Sequence, residues 1–348
     1  MKIYPLKAHL PICSKIENQS TFINGIKDNL KEHLKSDDYS NEQIPSFYVY
    51  SIKKGHFTSL GLVALTDISD DGNFQIIPHE AIIEKKKDFL IETILNEKVI
   101  AKPIMVFIDD ENQLNQLMQQ IIWNQSPSIL IDLGHEGIHE IFRIDDLGKI
   151  NELENHFKEI QHCFVADGHH RLSTLNSIKH NYNQNVKLLL AIFSKNDLQI
   201  LGYHRLLQNH SNFELHEILD TLRTFGKIEI IHELRLPLHQ YEVVIASNKK
   251  FFSFMISTTN TNLVGIEFAS EILDKIFSSI KILLQPYHPS SNGTIKPESH
   301  EGDIIFYLYP IGIDKLIEET KSGRLLPPKS TWFEPKVRSG LIIGRVFE

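Results

Sequence analysis

The sequence predicts an α+β protein of mixed sheets with flanking helices. Apolar runs of strand length alternate with amphipathic stretches of helical length in irregular order, unlike a doubly wound strand and helix repeat. Two turns, Lys54 with Gly55 and Asn248 to Lys250, lie between apolar runs of matched length and mark hairpins, hence antiparallel pairing. A chain of 348 residues that is 41% hydrophobic and 23% charged has material for one large or two modest domains around a substantial core. It reads as a single unit over 1–348, with subdomains 1–150 and 151–348 as the alternative division.

In chain order, 19–36 reads as a helix with a polar face, and 46–53 with 56–66 as the first hairpin. Gly72 to Ile77 adds a strand, 83–96 a charged helix, Pro103 to Ile108 a short apolar strand and Asn112 to Trp123 a helix. Ser128 to Leu133 and Ile138 to Ile144 are strands joined across Gly134 to Gly137, and 151–160 is a helix. Val186 to Phe193 and Gln199 to Leu207 are buried strands separated by the polar turn Lys195, Asn196, Asp197. Tyr241 to Ser247 and Phe251 to Ile256 form the second hairpin. A helix over 267–280, a loop rich in Pro, Ser, Asn and Gly over 285–301, a strand from Asp303 to Tyr309 and a helix from Ile313 to Thr320 follow.

Charge and composition exclude several function classes. With 44 acidic against 36 basic side chains the net charge is -8, and a general nucleic-acid surface needs clustered positive charge to displace counterions. No apolar stretch reaches membrane-spanning length, and Met1 to Pro5 lacks the apolar core of a signal peptide, so a cytoplasmic protein without membrane partners is expected. Cys13 and Cys163 are too few for a disulfide scaffold, and Cys163 lies in an apolar run that suits a packed thiol.

The chemistry concentrates in Cys163 to Arg171. The apolar segment Cys163 to Ala166 stops at Asp167, Gly168, His169, His170 and Arg171, after which Leu172, Leu175 and Ile178 recur at helical spacing. The motif is therefore expected at a strand-to-helix turn, with Gly168 permitting the turn. Free N–H groups at a helix start carry positive polarity, and Arg171 adds a planar fork of donors, so the expected ligand is a phosphate or carboxylate. Asp before Gly is also ordinary turn chemistry, but turns alone do not call for a carboxylate, two imidazoles and a guanidinium in five residues.

Other constellations are weighed against plainer readings. His135, Glu136 and His139 match the spacing of a zinc protease motif, which works only on a helix. Gly134 and Gly137 interrupt the segment and strand-forming residues continue it, so the match is read as coincidental and no zinc site is expected. His79 and Glu80 follow an apolar strand and could approach a site, though on local sequence a cap or solvated turn is the plainer role. His204 and Arg205 interrupt an apolar run and either reach solvent or meet an anion. Near the end, Lys329, Ser330, Thr331, Glu334, Lys336 and Arg338 share a proline-stiffened segment with Trp332 and Phe333. It suits a loop closing over phosphates or a packing strap.

Val165 to Arg171 together with Leu326 to Leu341 resemble the prokaryotic family known as domain of unknown function 1015, whose marks are a DGHHR turn and a PPKSTWFEPK segment, both intact here. The resemblance extends over Ile138 to Ile144, His204 and Arg205, and Asp303 to Thr320. The chain departs from the family pattern as a divergent member would: Ile82 replaces a Thr two residues after Glu80, the Pro, Tyr, Asp segment is missing after Pro11, and 285–301 replaces a region rich in Asp, Arg and Gly. The turn from Gly168 to Arg171 is also similar to the signature of the sulfiredoxin and ParB-like fold, to which free-serine kinases belong. That likeness implies a core of this kind, with His170 and Arg171 holding nucleotide phosphates.

The resulting expectation is a kinase-like phosphoryl-transfer enzyme acting on a small metabolite, with ATP or ADP and Mg²⁺ as cofactors. His170 and Arg171 would bind phosphate, Asp167 would serve as base or Mg²⁺ ligand, His169 as acid or second phosphate ligand, and Lys329 and Lys336 would close over the transferred group. A phosphomonoester hydrolase and a non-catalytic nucleotide- or metabolite-binding regulator are the alternatives.

Overall fold

The computed structural model describes residues 1–347 apart from 17, 19–20, 24–29, 69–73, 82–86, 183, 209–213, 258–268, 280–283 and 288–301. Ile82, most of the loop expected over 285–301 and parts of the helices expected over 19–36, 83–96 and 267–280 fall outside the described residues. The fold is α+β, and the chain divides into two compact units. The first comprises Met1–Gln199, Glu319–Leu325 and Pro335–Glu348; the second comprises Ile200–Glu318 and Leu326–Glu334.

The first unit is organised by a mixed sheet whose strands run, edge to edge, Gln75–Ile77, His162–Asp167, Ile104–Ile108, Lys187–Ser194, Phe57–Asp67, Phe47–Lys54, Ile138–Ile144 and Ile129–Asp132, with Ile3–Tyr4 also paired to Phe57–Asp67. Its inner strands are largely apolar. Every residue of Ile104–Ile108 is buried, as are Leu188 to Phe193, which is the continuous pattern of strands covered on both faces. His162–Asp167 runs parallel to Gln75–Ile77 and antiparallel to Ile104–Ile108, while Ile104–Ile108 runs parallel to Lys187–Ser194. Helices Gln113–Ile121 and His169–Tyr182 pack against this sheet. The helix expected over 151–160 begins earlier, at Leu147, because the Asp146 carboxylate caps it by accepting from the Lys149 N–H at 3.0 Å.

A four-stranded sheet completes the unit, in the order Tyr39–Asn41, Ala8–Pro11, Ile343–Arg345, Val99–Ile100. Tyr39, Val99 and Ile343 form its small apolar cluster.

The second unit holds an antiparallel sheet in the order Gly226–Ile231, Lys250–Ile256, Glu242–Ser247, Ile304–Leu308, His204–Leu207, Gln285–Tyr287. Helices Leu215–Arg223 and Ala269–Ser279 bury Ile218, Leu222, Leu273 and Phe277 in its core with Phe254 and Phe306. The run read as one strand from Gln199 to Leu207 is two: Gln199–Gly202 pairs with Thr331–Glu334, and His204–Leu207 enters the six-stranded sheet. A Cβ on Gly202 would lie 2.1 Å from the Leu308 carbonyl oxygen, so glycine marks a close backbone approach where the strand breaks. Residues 285–287, expected as loop, supply an edge strand. Among the described residues no helix is long and apolar enough to cross a membrane.

Candidate functional site

The strand His162–Asp167 hands directly to the helix His169–Tyr182, with Gly168 between them, as the hydrophobic pattern predicts. The register against Ile104–Ile108 shifts between Val165 and Asp167, a bulge that sets the direction of the last side chain of the strand. Gly168 has φ of 109°, a conformation open to glycine, and the Leu172 N–H closes the first helical turn on its carbonyl at 2.9 Å. The missing side chain matters twice, because a Cβ here would lie 2.7 Å from Arg171 Nη2. Arg171 thus folds back over bare backbone, while Leu172, Leu175 and Ile178 anchor the helix in the core.

Three cations meet on the Asp167 carboxylate. Arg171 Nη2 donates to Oδ2 at 2.8 Å, Lys102 Nζ lies 3.0 Å from the same oxygen, and Lys336 Nζ lies 3.7 Å from Oδ1. Burial opposes ionisation of Asp167, but Lys102, Arg171 and Lys336 outweigh it and hold the carboxyl well below its ordinary range. Burial, aided by Arg171 and Lys336 against the pull of Asp167, brings the Lys102 amine down to about 8. Arg171 Nε is buried and meets no hydrogen-bond acceptor among the described residues. Lys102 and Lys336 are brought together by the backbone, since the Gly340 N–H donates to the Ala101 carbonyl at 2.7 Å.

His79 and Glu80 stand beside this turn. His79 is 1% exposed, so it is no solvated cap, and its ring meets that of His169 edge-on at 4.5 Å. The His79 backbone N–H points to His169 Nε2 at 3.4 Å, a long contact that needs an unprotonated nitrogen. Burial lowers His169 to about 4 against the pull of Glu80 and Asp167, and burial with His169 as neighbour lowers His79 too. Both rings are neutral at neutral pH. His170 is half-buried on the same helical turn. A cleft of about 320 Å³ continues from His169 along the helix, lined by Pro78, Ser173, Asn176, Ser177 and His180 among others.

Arg338 is held one step away. Its Nη2 pairs with Glu136, and its backbone N–H donates to the Tyr50 hydroxyl at 3.3 Å. That hydroxyl meets His139 Nδ1 at 2.7 Å, and burial, with Arg338 adding, lowers His139 to about 4. His135 sits in the 3-10 turn Gly134–Glu136 and His139 on the strand Ile138–Ile144, so the zinc-like spacing never shares a helical face. Glu136 and His139 instead lock the segment that carries Lys336.

The remaining predicted residues belong to the second unit. Arg205 is buried and bidentate to Asp274, with Nε to Oδ1 and Nη2 to Oδ2 both at 3.0 Å, and its Nη1 donates to the carbonyls of Tyr203 and Lys329. His204 Nδ1 accepts from the Leu308 N–H at 3.0 Å. Lys329 reaches over the Tyr203 ring, Ser330 Oγ donates to the Pro327 carbonyl at 2.7 Å, and Trp332 Nε1 donates to Glu334 Oε1 at 2.9 Å; Thr331 is buried. The segment expected to act as one therefore divides, with Lys336 and Arg338 in the unit that holds the DGHHR turn.

Sequence reasoning missed Lys102. It stands alone between Ala101 and Pro103 with no motif around it, and the only signal is a charge set directly ahead of an apolar strand. The Mg²⁺ expected at Asp167 does not fit the donor set: Lys102 and Arg171 take one carboxylate oxygen and Lys336 faces the other, and among the described residues no group of three or more His, Cys, Asp or Glu forms a ligand set.

The described chain is thus α+β, with a cation-crowded carboxylate at a strand-to-helix turn. The chain belongs to the family described as Protein of unknown function (DUF1015), whose profile matches residues 9–277. No curated protein matches the chain. Among solved structures it is similar to SbnI with C-terminal truncation from Staphylococcus aureus, at 12% identity and TM-score 0.46, covering 79% of this chain and 85% of that one. It is also similar to a free serine kinase in complex with AMP, at 14% identity and TM-score 0.41, covering 82% of this chain and 94% of that one. A conserved hypothetical protein from Pyrococcus furiosus matches at 13% identity and TM-score 0.40, covering 82% of this chain and 95% of that one.

Proposed function

We propose that the protein is a small-metabolite phosphoryl-transfer enzyme whose phosphate site is the turn from Asp167 to Arg171. The observation that carries this reading is the convergence of Arg171, Lys102 and Lys336 at the start of the helix His169–Tyr182. Phosphoryl transfer asks the protein for positioning and charge neutralisation more than for covalent chemistry, and three cations gathered at a helix start suit both. The likeness of the turn to the sulfiredoxin and ParB-like signature points the same way. His170 and Arg171 hold phosphate oxygens, and Lys336 closes the group from the carboxy-terminal segment. Asp167, ionised throughout the physiological range, accepts a hydrogen bond from the attacking hydroxyl and orients it, with little affinity for its proton. The neutral His169 borders a cleft whose wall is mainly apolar surface, with the polar groups of Ser173, Asn176 and Ser177 set in it, a mixed lining for a small acceptor.

The test is ADP formation from ATP by the purified full chain, with and without hydroxyl amino acids as acceptors. Acceptor-dependent ADP release is expected. Phosphate release from monoesters without nucleotide would make the protein a hydrolase, ligand binding without turnover would make it a regulator, and failure to bind ATP or ADP would sink the kinase assignment.

A further inference from the structure

The misfit of a divalent cation at Asp167 has a positive counterpart. A carboxylate ringed by three cations occupies the place where an oxyanion would bind, and its two oxygens engage the same donors that a phosphate would use. The carboxylate is not fully enclosed: the Asp167 side chain is 28% exposed and those of Lys102, Arg171 and Lys336 are 20–21% exposed, so solvent reaches the cluster. The buried Arg171 Nε meets no acceptor among the described residues. The chain's own anion is thus seated where a ligand anion is wanted.

We propose that the site takes its oxyanion by counter-ion exchange, the ligand oxygens displacing Asp167 from Lys102, Arg171 and Lys336, so that Lys102 does the neutralising work that a bound divalent cation does elsewhere. This rests on the phosphate-site reading above and assigns Lys102 as a ligand-binding residue. The charges agree: three cations and one carboxylate leave a surplus of two positive charges, which a phosphate dianion cancels. The amine of Lys102 must be protonated for the exchange. A ligand dianion in place of one carboxylate raises the amine's proton affinity, and the groups that face it, Asp167, Arg171 and Lys336, are those already named.

The experiment is calorimetric titration of the full chain with inorganic phosphate and with pyrophosphate, at fixed ionic strength, in EDTA and in Mg²⁺. Wild type should bind equally in both. Asp167→Asn removes the competing carboxylate and should tighten binding roughly tenfold, while Lys102→Met should weaken it by about the same factor. Weaker binding by Asp167→Asn, or binding that needs Mg²⁺, overturns the exchange while leaving a phosphate site standing; no binding by wild type or by either variant overturns the phosphate site as well. A second measurement needs no variant. Competitive amine acylation of the wild-type protein, read by mass spectrometry from pH 7 to 9, should show Lys102 labelled early and protected by phosphate, with its titration moved to higher pH. Unchanged Lys102 labelling in saturating phosphate overturns the proposal.

Discussion

At the scale of the residue, Gly168 is the most constrained position of the site. Its φ of 109° and the Arg171 guanidinium lying over it both exclude a side chain. Gly168→Ala should cost about 1–3 kcal/mol in urea unfolding. It should also abolish the rise in melting temperature expected of the wild type in phosphate, because Arg171 can no longer fold back. The sequence showed this residue plainly, since a glycine between an apolar strand and a helical repeat has one common purpose. It singled out His169, His170 and Arg171 by the density of polar groups directly after an apolar strand. Lys102 was invisible because its role comes from the register of the Val99–Ile100 strand and the Gly340 to Ala101 hydrogen bond, which no local pattern encodes. The spacing of His135 and His139 showed the converse: a motif present in letters and absent in geometry.

At the scale of the element, the end of the strand Lys187–Ser194 carries a second charged group in the core. Asp197 is 4% exposed, its carboxylate accepts from the Asn115 amide at 2.5 Å, and burial pushes its pKa up to about 7 despite that bond. A carboxyl whose folded pKa stands above its unfolded value stabilises the fold while it is protonated. That contribution is complete below the ordinary carboxyl pKa and is lost as pH rises through about 7. Wild-type stability should therefore fall between pH 5 and pH 8, by on the order of 3 kcal/mol, and Asp197→Asn should flatten the profile. Denaturant unfolding across that range checks it; a slope unchanged by the substitution would place the titration elsewhere. Elements were legible where a long apolar run is bounded by turn residues, as in Phe47–Lys54, Phe57–Asp67 and Ile104–Ile108. They were not where partners are distant. Ala8–Pro11 and Ile343–Arg345 are short and lack alternation, and the break at Gly202 follows from the approach of Leu308.

At the scale of the whole molecule, the two units carry separate interiors. Arg205 binds only groups of its own unit that the structure describes, and Asp274 is about a third exposed and can take up water when left alone. Arg205→Met should cost about 2 kcal/mol. Hydrogen exchange should quicken in Glu242–Ser247 and Ile304–Leu308 and hold in Ile104–Ile108, and phosphate affinity should stay unchanged. The α+β class followed from irregular element order, but no composition shift betrays that 319–325 and 335–348 return to the first unit. That return has a temporal meaning. Ile343–Arg345 lies inside its sheet, flanked by Ala8–Pro11 and Val99–Ile100, so two strands must wait for one made much later in the chain. A nascent chain on the ribosome holds Asp167, Lys102 and Arg171 without Lys336, leaving one carboxylate oxygen with no cation opposite. The set of cations around Asp167 is therefore complete only when translation has run past the segment that closes the sheet.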